Sequence, residues 1–401
     1  MSTVPVDLSP VRVRSAARAT FVAFIGLGFA FASWAARIPQ VKDRLELDPS
    51  ELGLVLLALA AGSVVALPLS GRVVGRFGSR RTTAATAVLL AVALVVVAVG
   101  YLAGVAWLVV GLFVLGLANG AWDVAMNVQG ALVEQHLGRG IMSRFHAGFS
   151  LGTVAGALVG AVMVALEVPV TAHLLGAAVV IGLSVPLAVQ RFVPDHRAES
   201  ENAAGVTAPE RRRSVSAWRE PRTLAVGVFV LAFAFAEGTA NDWVSVALIE
   251  GYAVPAATAT VGFAVFLASM TSARWFGPGL LDRFGRVPVV RVLAAVATVG
   301  LLLFVFGPSV PVAFAGALLW GVGTSLGFPV GMSAAADDPG RSAARVSVVA
   351  SIGYCAFLAG PPLIGFLGQH ITVLRALTVV AVLLAIATAV ATALRPPLRE
   401  S

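Results

Sequence analysis

Residues 82–122 and 292–336 contain no Asp, Glu, Lys or Arg, in stretches of 41 and 45 residues. A helix needs about 20 apolar residues to cross the ~30 Å hydrocarbon layer. Each stretch is therefore read as two spans joined by a turn, at 100–104 and at 307–309. Shorter uncharged stretches at 52–71, 168–190 and 251–273 each suit one span. Only 12% of the chain is charged, against roughly a quarter in soluble domains, and mean hydropathy is +0.92. Barrel strands alternate over about ten residues, and these runs do not. The chain reads as an all-α, polytopic membrane protein.

Apolar runs and their charged or Gly/Pro boundaries predict twelve helices: 19–37, 50–70, 82–102, 106–135, 143–165, 171–190, 222–249, 256–276, 287–307, 311–335, 345–367 and 372–393. Arg12, Arg14 and Arg18 precede the first run, and Ala30-Phe31-Ala32 imitates a cleavage site. With so many spans downstream, this segment is read as an uncleaved first helix.

The formal net charge is +8, and Lys42 is the one lysine among 28 cationic residues. The arginines fall in short connectors, a topology pattern rather than a nucleic-acid surface. With the N-terminus inside, 24 of the 28 lie in cytoplasmic connectors and tails, and Arg37, Lys42, Arg44 and Arg375 lie outside. This predicts N-in and C-in. The longest polar segment, 192–221, is expected to be a cytoplasmic linker between domains 1–191 and 222–401. Its Arg211-Arg212-Arg213 run suits either an anionic leaflet or a solvated linker that only sets topology.

The halves resemble each other. Residues 27–32 (LGFAFA) recur as 231–236 (LAFAFA), Arg76-Phe77-Gly78 recurs as Arg283-Phe284-Gly285, and Gly116 matches Gly321. Offsets of 204, 207 and 205 residues indicate a 6+6 duplication, the pattern of transporters that rock about a midplane site.

On these residues the chain resembles the major facilitator superfamily, whose loop between helices two and three reads G-x-x-x-D-R-x-G-R-R. The first half has Gly71, Arg76, Gly78, Arg80 and Arg81 in place, with Gly75 at the acidic position. The second has Asp282, Arg283, Gly285 and Arg286. The resemblance implies two six-helix bundles and a gating role for Gly71, Arg76, Gly78, Asp282, Arg283, Gly285 and Arg286. Positive-inside anchoring accounts for Arg80 and Arg81 equally well. Asn119-Gly120-Ala121-Trp122-Asp123-Val124-Ala125-Met126-Asn127, followed by Met142-Ser143-Arg144-Phe145-His146, resembles the MosC-like branch of bacterial transporters.

A charge near the bilayer centre costs at least ~2.5 kcal/mol, so ionisable groups inside spans are functional candidates. Asn119, Asp123 and Asn127 stand at i, i+4 and i+8 on one face of span four. Glu237 and Asn241 stand at i and i+4 in span seven, with Asp242 one position round. Asn119 and Asn127 suit interhelical hydrogen bonding as well as solute binding. Glu134 with Arg144 reads as an interfacial pair.

The single cysteine, Cys355, excludes an intramolecular disulfide and a Cys-rich metal site. No HExxH, Walker, CxxC or GxSxG motif is present. The expectation is a cofactor-free, metal-free, non-enzymatic secondary transporter, monomeric and multi-pass in a bacterial inner membrane. Asp123 is assigned to proton coupling, and Asn119, Asn127, Glu237 and Asn241 to the solute. The resemblance implies a small polar organic solute, sugar- or polyol-like. Export of drug-like or secondary metabolites is the alternative, and a non-transporting receptor is the reading of another class.

Overall fold

Proline opens several of the helices and left-handed residues close others. Pro10, Pro49, Pro221 and Pro278 each occupy the first helical position, where a missing N–H costs nothing. Gly138 (φ 63°) and Ala253 (φ 52°) end their helices in the left-handed region. The computed structural model describes residues 9–138, 141–195, 216–338 and 341–395.

Among the described residues there are no strands, and twelve helices are long and apolar enough to cross a membrane. In chain order they are Pro10–Arg44, Pro49–Phe77, Ser79–Ala103, Val105–Leu137, Arg144–Ala165, Val170–Arg191, Pro221–Tyr252, Ala256–Phe276, Arg286–Phe306, Val310–Ala335, Ala344–Ile371 and Val373–Leu394. All twelve expected spans are present. Span two runs seven residues further than expected, through Arg72 and Arg76 to Phe77, because a helix does not stop where its sequence turns polar.

Span ten is not continuous over 311–335 as expected. It breaks into Val310–Thr324 and Gly327–Ala335. The Thr324 hydroxyl donates to the Trp320 carbonyl (3.0 Å) and the Ser325 hydroxyl to the Val322 carbonyl (2.7 Å). Side chains that bond the preceding turn compete with the helix ladder, and a Gly-rich stretch yields to them. Of the expected linker, residues 196–215 lie outside the described residues.

Tertiary packing bears out the duplication. Gly116 in span four lies against the Leu59 carbonyl of span two, and Gly321 in span ten against the Phe266 carbonyl of span eight. The equivalent residue pairs make equivalent contacts. Gly78 (φ 81°) and Gly285 (φ 78°) both separate one helix from the next in a conformation that other L-residues adopt only with strain.

The chain divides into two compact units. One holds described residues 9–34, 58–156 and 169–195. Within it span one packs on span five by close backbone approach, Gly28 against the Phe149 carbonyl and Gly152 against the Ile25 carbonyl. Small residues allow this, and van der Waals packing is what associates helices in lipid. The other unit holds 35–57, 157–168 and described residues 216–395. There Gly53 meets the Pro361 carbonyl, Gly365 meets that of Pro49, and Lys42 Nζ lies 2.8 Å from Glu250 Oε1. Arg37, itself 2% exposed, donates from Nη2 to the Val168 carbonyl (3.0 Å).

Candidate solute and coupling site

Span four is helical throughout, so residues four apart share a face. Asn119, Asp123 and Asn127 are each half-buried, while Ala118, Gly120, Trp122, Ala125 and Met126 beside them are buried. Trp107, Val110, Phe113 and Val128 on the same helix are exposed and apolar, so the triplet is a partly accessible polar strip on a helix with an apolar outer face. Asn127 Nδ2 donates to the Asp123 carbonyl (2.8 Å) and to Asp123 Oδ1 (3.2 Å). One amide thus orients the carboxylate and leaves Oδ2 for another partner.

In the other unit, Glu237 is half-buried midway along span seven. Its Oε2 lies 2.6 Å from Arg274 Nη2 of span eight. Arg274 Nε donates in turn to the Ser325 carbonyl (2.9 Å), one of the acceptors left over where span ten breaks. One guanidinium therefore joins the carboxylate to the helix discontinuity. A charge inside a span is tolerable when paired in this way. Asn241, one turn on from Glu237, has its Oδ1 buried without a hydrogen-bond partner, as has the Thr239 hydroxyl. Asp242 is half-buried beside them.

The glycine-flanked loops behave differently from one another. Asp195 caps the start of span three, accepting from Ser79 N (2.5 Å) and from the Ser79 hydroxyl (2.6 Å). Arg76 and Arg283 each lie over the adjoining ring, 5.5 Å from Phe77 and 5.1 Å from Phe284. Gly71 borders open space. Asp282 is exposed and makes no ion pair among the described residues. The acid that Arg286 does pair with is Asp337, at 2.7 Å, and Asp337 also holds Arg222 at 2.8 Å. Near it Glu220 accepts from Arg345 (2.6 Å), Arg341 (2.8 Å) and the Thr223 hydroxyl (2.9 Å). Partial burial opposes ionisation of Glu220, yet Arg345, Thr223 and Arg341 hold its carboxyl below the usual range.

Glu134 does not serve the expected pair with Arg144. Its Oε2 accepts from the backbone of Ile141 (2.8 Å) and Met142 (2.7 Å), charge-assisted bonds that fasten the turn into span five. Arg274, Asp195 and Asp337 escaped the sequence reading. Arg274 looks like one more topology arginine, and its partner is 37 residues away. Asp337 had a signal, since with Asp338 it directly follows the 45-residue uncharged stretch. Asp195 had none.

Residues 19–355 match the profile of the Major Facilitator Superfamily. The chain belongs to that superfamily. Like its relatives this facilitator is a membrane transporter and not an enzyme. It is 32% identical over 360 residues to an uncharacterized transporter, y4wD, of Sinorhizobium fredii, covering 88% of this chain and 92% of that one. It is 28% identical over 351 residues to the membrane protein MosC of Rhizobium meliloti, covering 87% and 83%. Among solved structures it is similar to the nucleoside transporter NupG, with a TM-score of 0.73 at 14% identity, covering 94% and 97%. That likeness concerns the fold. The resemblance to the MosC-like branch read from residues 119–127 and 142–146 agrees with the relatives found.

Proposed function

We propose that this facilitator is a proton-coupled secondary transporter of a small polar organic solute, sugar- or polyol-like. It works by alternating access, with the halves 1–191 and 222–401 as the moving bodies. The observation that carries the reading is the half-buried Asn119–Asp123–Asn127 face, with the Asp123 carboxylate oriented by Asn127 and one oxygen uncommitted. Asp123 is the proton carrier, because a carboxylate in a span bears charge at high cost and is neutral once protonated. Asn119 and Asn127 contact the solute from the first repeat, and Glu237 and Asn241 from the second. The unpartnered Asn241 Oδ1 suits a hydroxyl or amine donor.

Gly71, Arg76, Gly78, Asp282, Arg283, Gly285 and Arg286 govern opening at the cytoplasmic side of an N-in, C-in monomer in the bacterial inner membrane.

Proteoliposomes with an imposed pH gradient test the reading. Sugars and polyols, nucleosides, and lipophilic amines are offered in parallel. Gradient-driven accumulation of a polyhydroxylated solute is the expected outcome. Accumulation of lipophilic amines alone would point to a drug exporter. Binding without transport of any solute would point to a receptor.

A further inference from the structure

Pro329 stands four residues after Ser325 in span ten and has no N–H to give. Ser325 is fully buried, so its carbonyl needs a donor from elsewhere. Arg274 Nε of span eight supplies it at 2.9 Å. Arg274 Nη2 is held in turn at 2.6 Å by Glu237 Oε2 of span seven. A guanidinium is planar, so fixing two of its nitrogens fixes the third. That third nitrogen, Nη1, makes no hydrogen bond among the described residues, and neither does Glu237 Oε1. The two side chains keep 25% and 20% exposure. One turn along the face of Glu237, Asn241 Oδ1 is buried without a partner. A fixed donor and acceptor thus stand side by side, with a second acceptor one turn away.

The first half repeats none of this. Span four is helical throughout, and Val124 stands 205 residues before Pro329. Leu67, Pro68 and Leu69 occupy the positions 207 to 205 residues before Arg274, and Ser33 stands 204 before Glu237. A pair that the duplicated architecture required would recur, as the contacts of Gly116 and Gly321 do.

We propose that Arg274 is a solute-binding residue and that the second half recognises two adjacent hydroxyls of the solute. One hydroxyl accepts from Arg274 Nη1 and donates to Glu237 Oε1, and its neighbour donates to Asn241 Oδ1. A hydroxyl can do both at one atom, whereas an ammonium only donates and a carboxylate only accepts. Pro329 is a positioning residue, because the carbonyl it leaves over is what fixes Arg274 Nε. The inference rests on the reading that Glu237 and Asn241 face the solute. Asp242, about 100° round the helix from Asn241, adds a half-buried carboxylate that would favour a cation. Charged counterparts of each solute measure that pull.

The test is calorimetric binding to full-length protein in detergent, with Tm measured beside it. Glucose, galactose, ribose and mannitol are compared with 2-deoxyglucose, 3-deoxyglucose, glucosamine and gluconate. A neutral polyol should bind more tightly than its amino and carboxylate counterparts. Arg274→Gln should weaken that binding roughly tenfold and lower the Tm. In Arg274→Gln, Pro329→Ala the returned N–H serves the Ser325 carbonyl, so the Tm should recover while the affinity stays low. Recovery of both would make Arg274 structural and overturn the proposal, as would wild-type affinity in Arg274→Gln. Tighter binding of glucosamine or gluconate overturns the hydroxyl pair and leaves a polar solute standing. Binding of none of these compounds overturns the proposal together with the reading beneath it.

Discussion

Arg274 Nη2 and Glu237 Oε2 meet at 2.6 Å between spans eight and seven, and the same guanidinium holds the Ser325 carbonyl where span ten breaks. The two contacts predict an asymmetry between the partners. Arg274→Gln leaves both Glu237 and Ser325 unsatisfied. Glu237→Gln keeps an acceptor for Arg274. Both side chains retain some exposure, so Arg274→Gln should cost on the order of 2 kcal/mol and Glu237→Gln less than half of that. Thermal denaturation in detergent compares them, and isothermal calorimetry with the transported solute should show weakened binding for Glu237→Gln. Equal destabilisation by the two variants would mean the Ser325 bond contributes nothing.

Asp123→Asn keeps the shape of the protonated carboxyl and can still bond Asn127. It should abolish accumulation driven by a pH gradient while leaving solute exchange and binding intact. Vesicle counterflow beside gradient-driven uptake separates the two activities. Persisting accumulation in Asp123→Asn vesicles removes this residue from coupling.

At the loops, Asp337→Asn breaks ion pairs to Arg222 and Arg286 together, whereas Asp282 is exposed. Asp337→Asn should therefore destabilise the second unit by about 1–3 kcal/mol. If Asp282 serves gating, Asp282→Asn should leave the Tm unchanged yet slow turnover and increase labelling of cysteines introduced on the proposed cytoplasmic side of a Cys355→Ser background. Unaltered turnover and labelling would assign the Asp282 loop to anchoring alone.

Glu220 supplies a pH dependence. Its carboxyl is held below the ordinary value of 4.5, against partial burial, by Arg345, Thr223 and Arg341. A depressed carboxylate contributes stability that is complete above its unfolded pKa and lost as pH falls through the folded one. The Tm advantage of the wild type over Glu220→Gln should thus be constant from pH 7 to about 5 and shrink below 4.5. An advantage that grows on acidification contradicts this assignment.

Gly116 and Gly321 test the duplication energetically. A valine at either site forces its helix away from the Leu59 or Phe266 carbonyl, at about 1–3 kcal/mol each. Matched losses in Tm are expected, because the two contacts are equivalent. A loss at one site only would restrict the close approach to one repeat.

Sequence alone determined the number and placement of the spans, the duplication and the superfamily. These depend on local quantities: a helix must be apolar for about 20 residues, and a repeat leaves the same glycines at the same offset. It also marked Asn119, Asp123, Asn127, Glu237 and Asn241 as candidates, because a polar group in a span stands out against its neighbours. What it could not supply was pairing. Arg274 reads as a topology arginine until the fold sets it beside Glu237, and Asp337 as a loop acid until Arg222 and Arg286, 115 and 51 residues away, converge on it. The break in span ten lies in a stretch with no charge to mark it, since it arises from hydroxyls bonding back to the helix and a guanidinium from another span. Tertiary structure alone also separated the two loops that the repeat makes look alike. Asp195 fills the place beside Gly78, and nothing among the described residues fills the place beside Gly285. Ion pairs and caps depend on distances in space, and a sequence orders residues only along the chain.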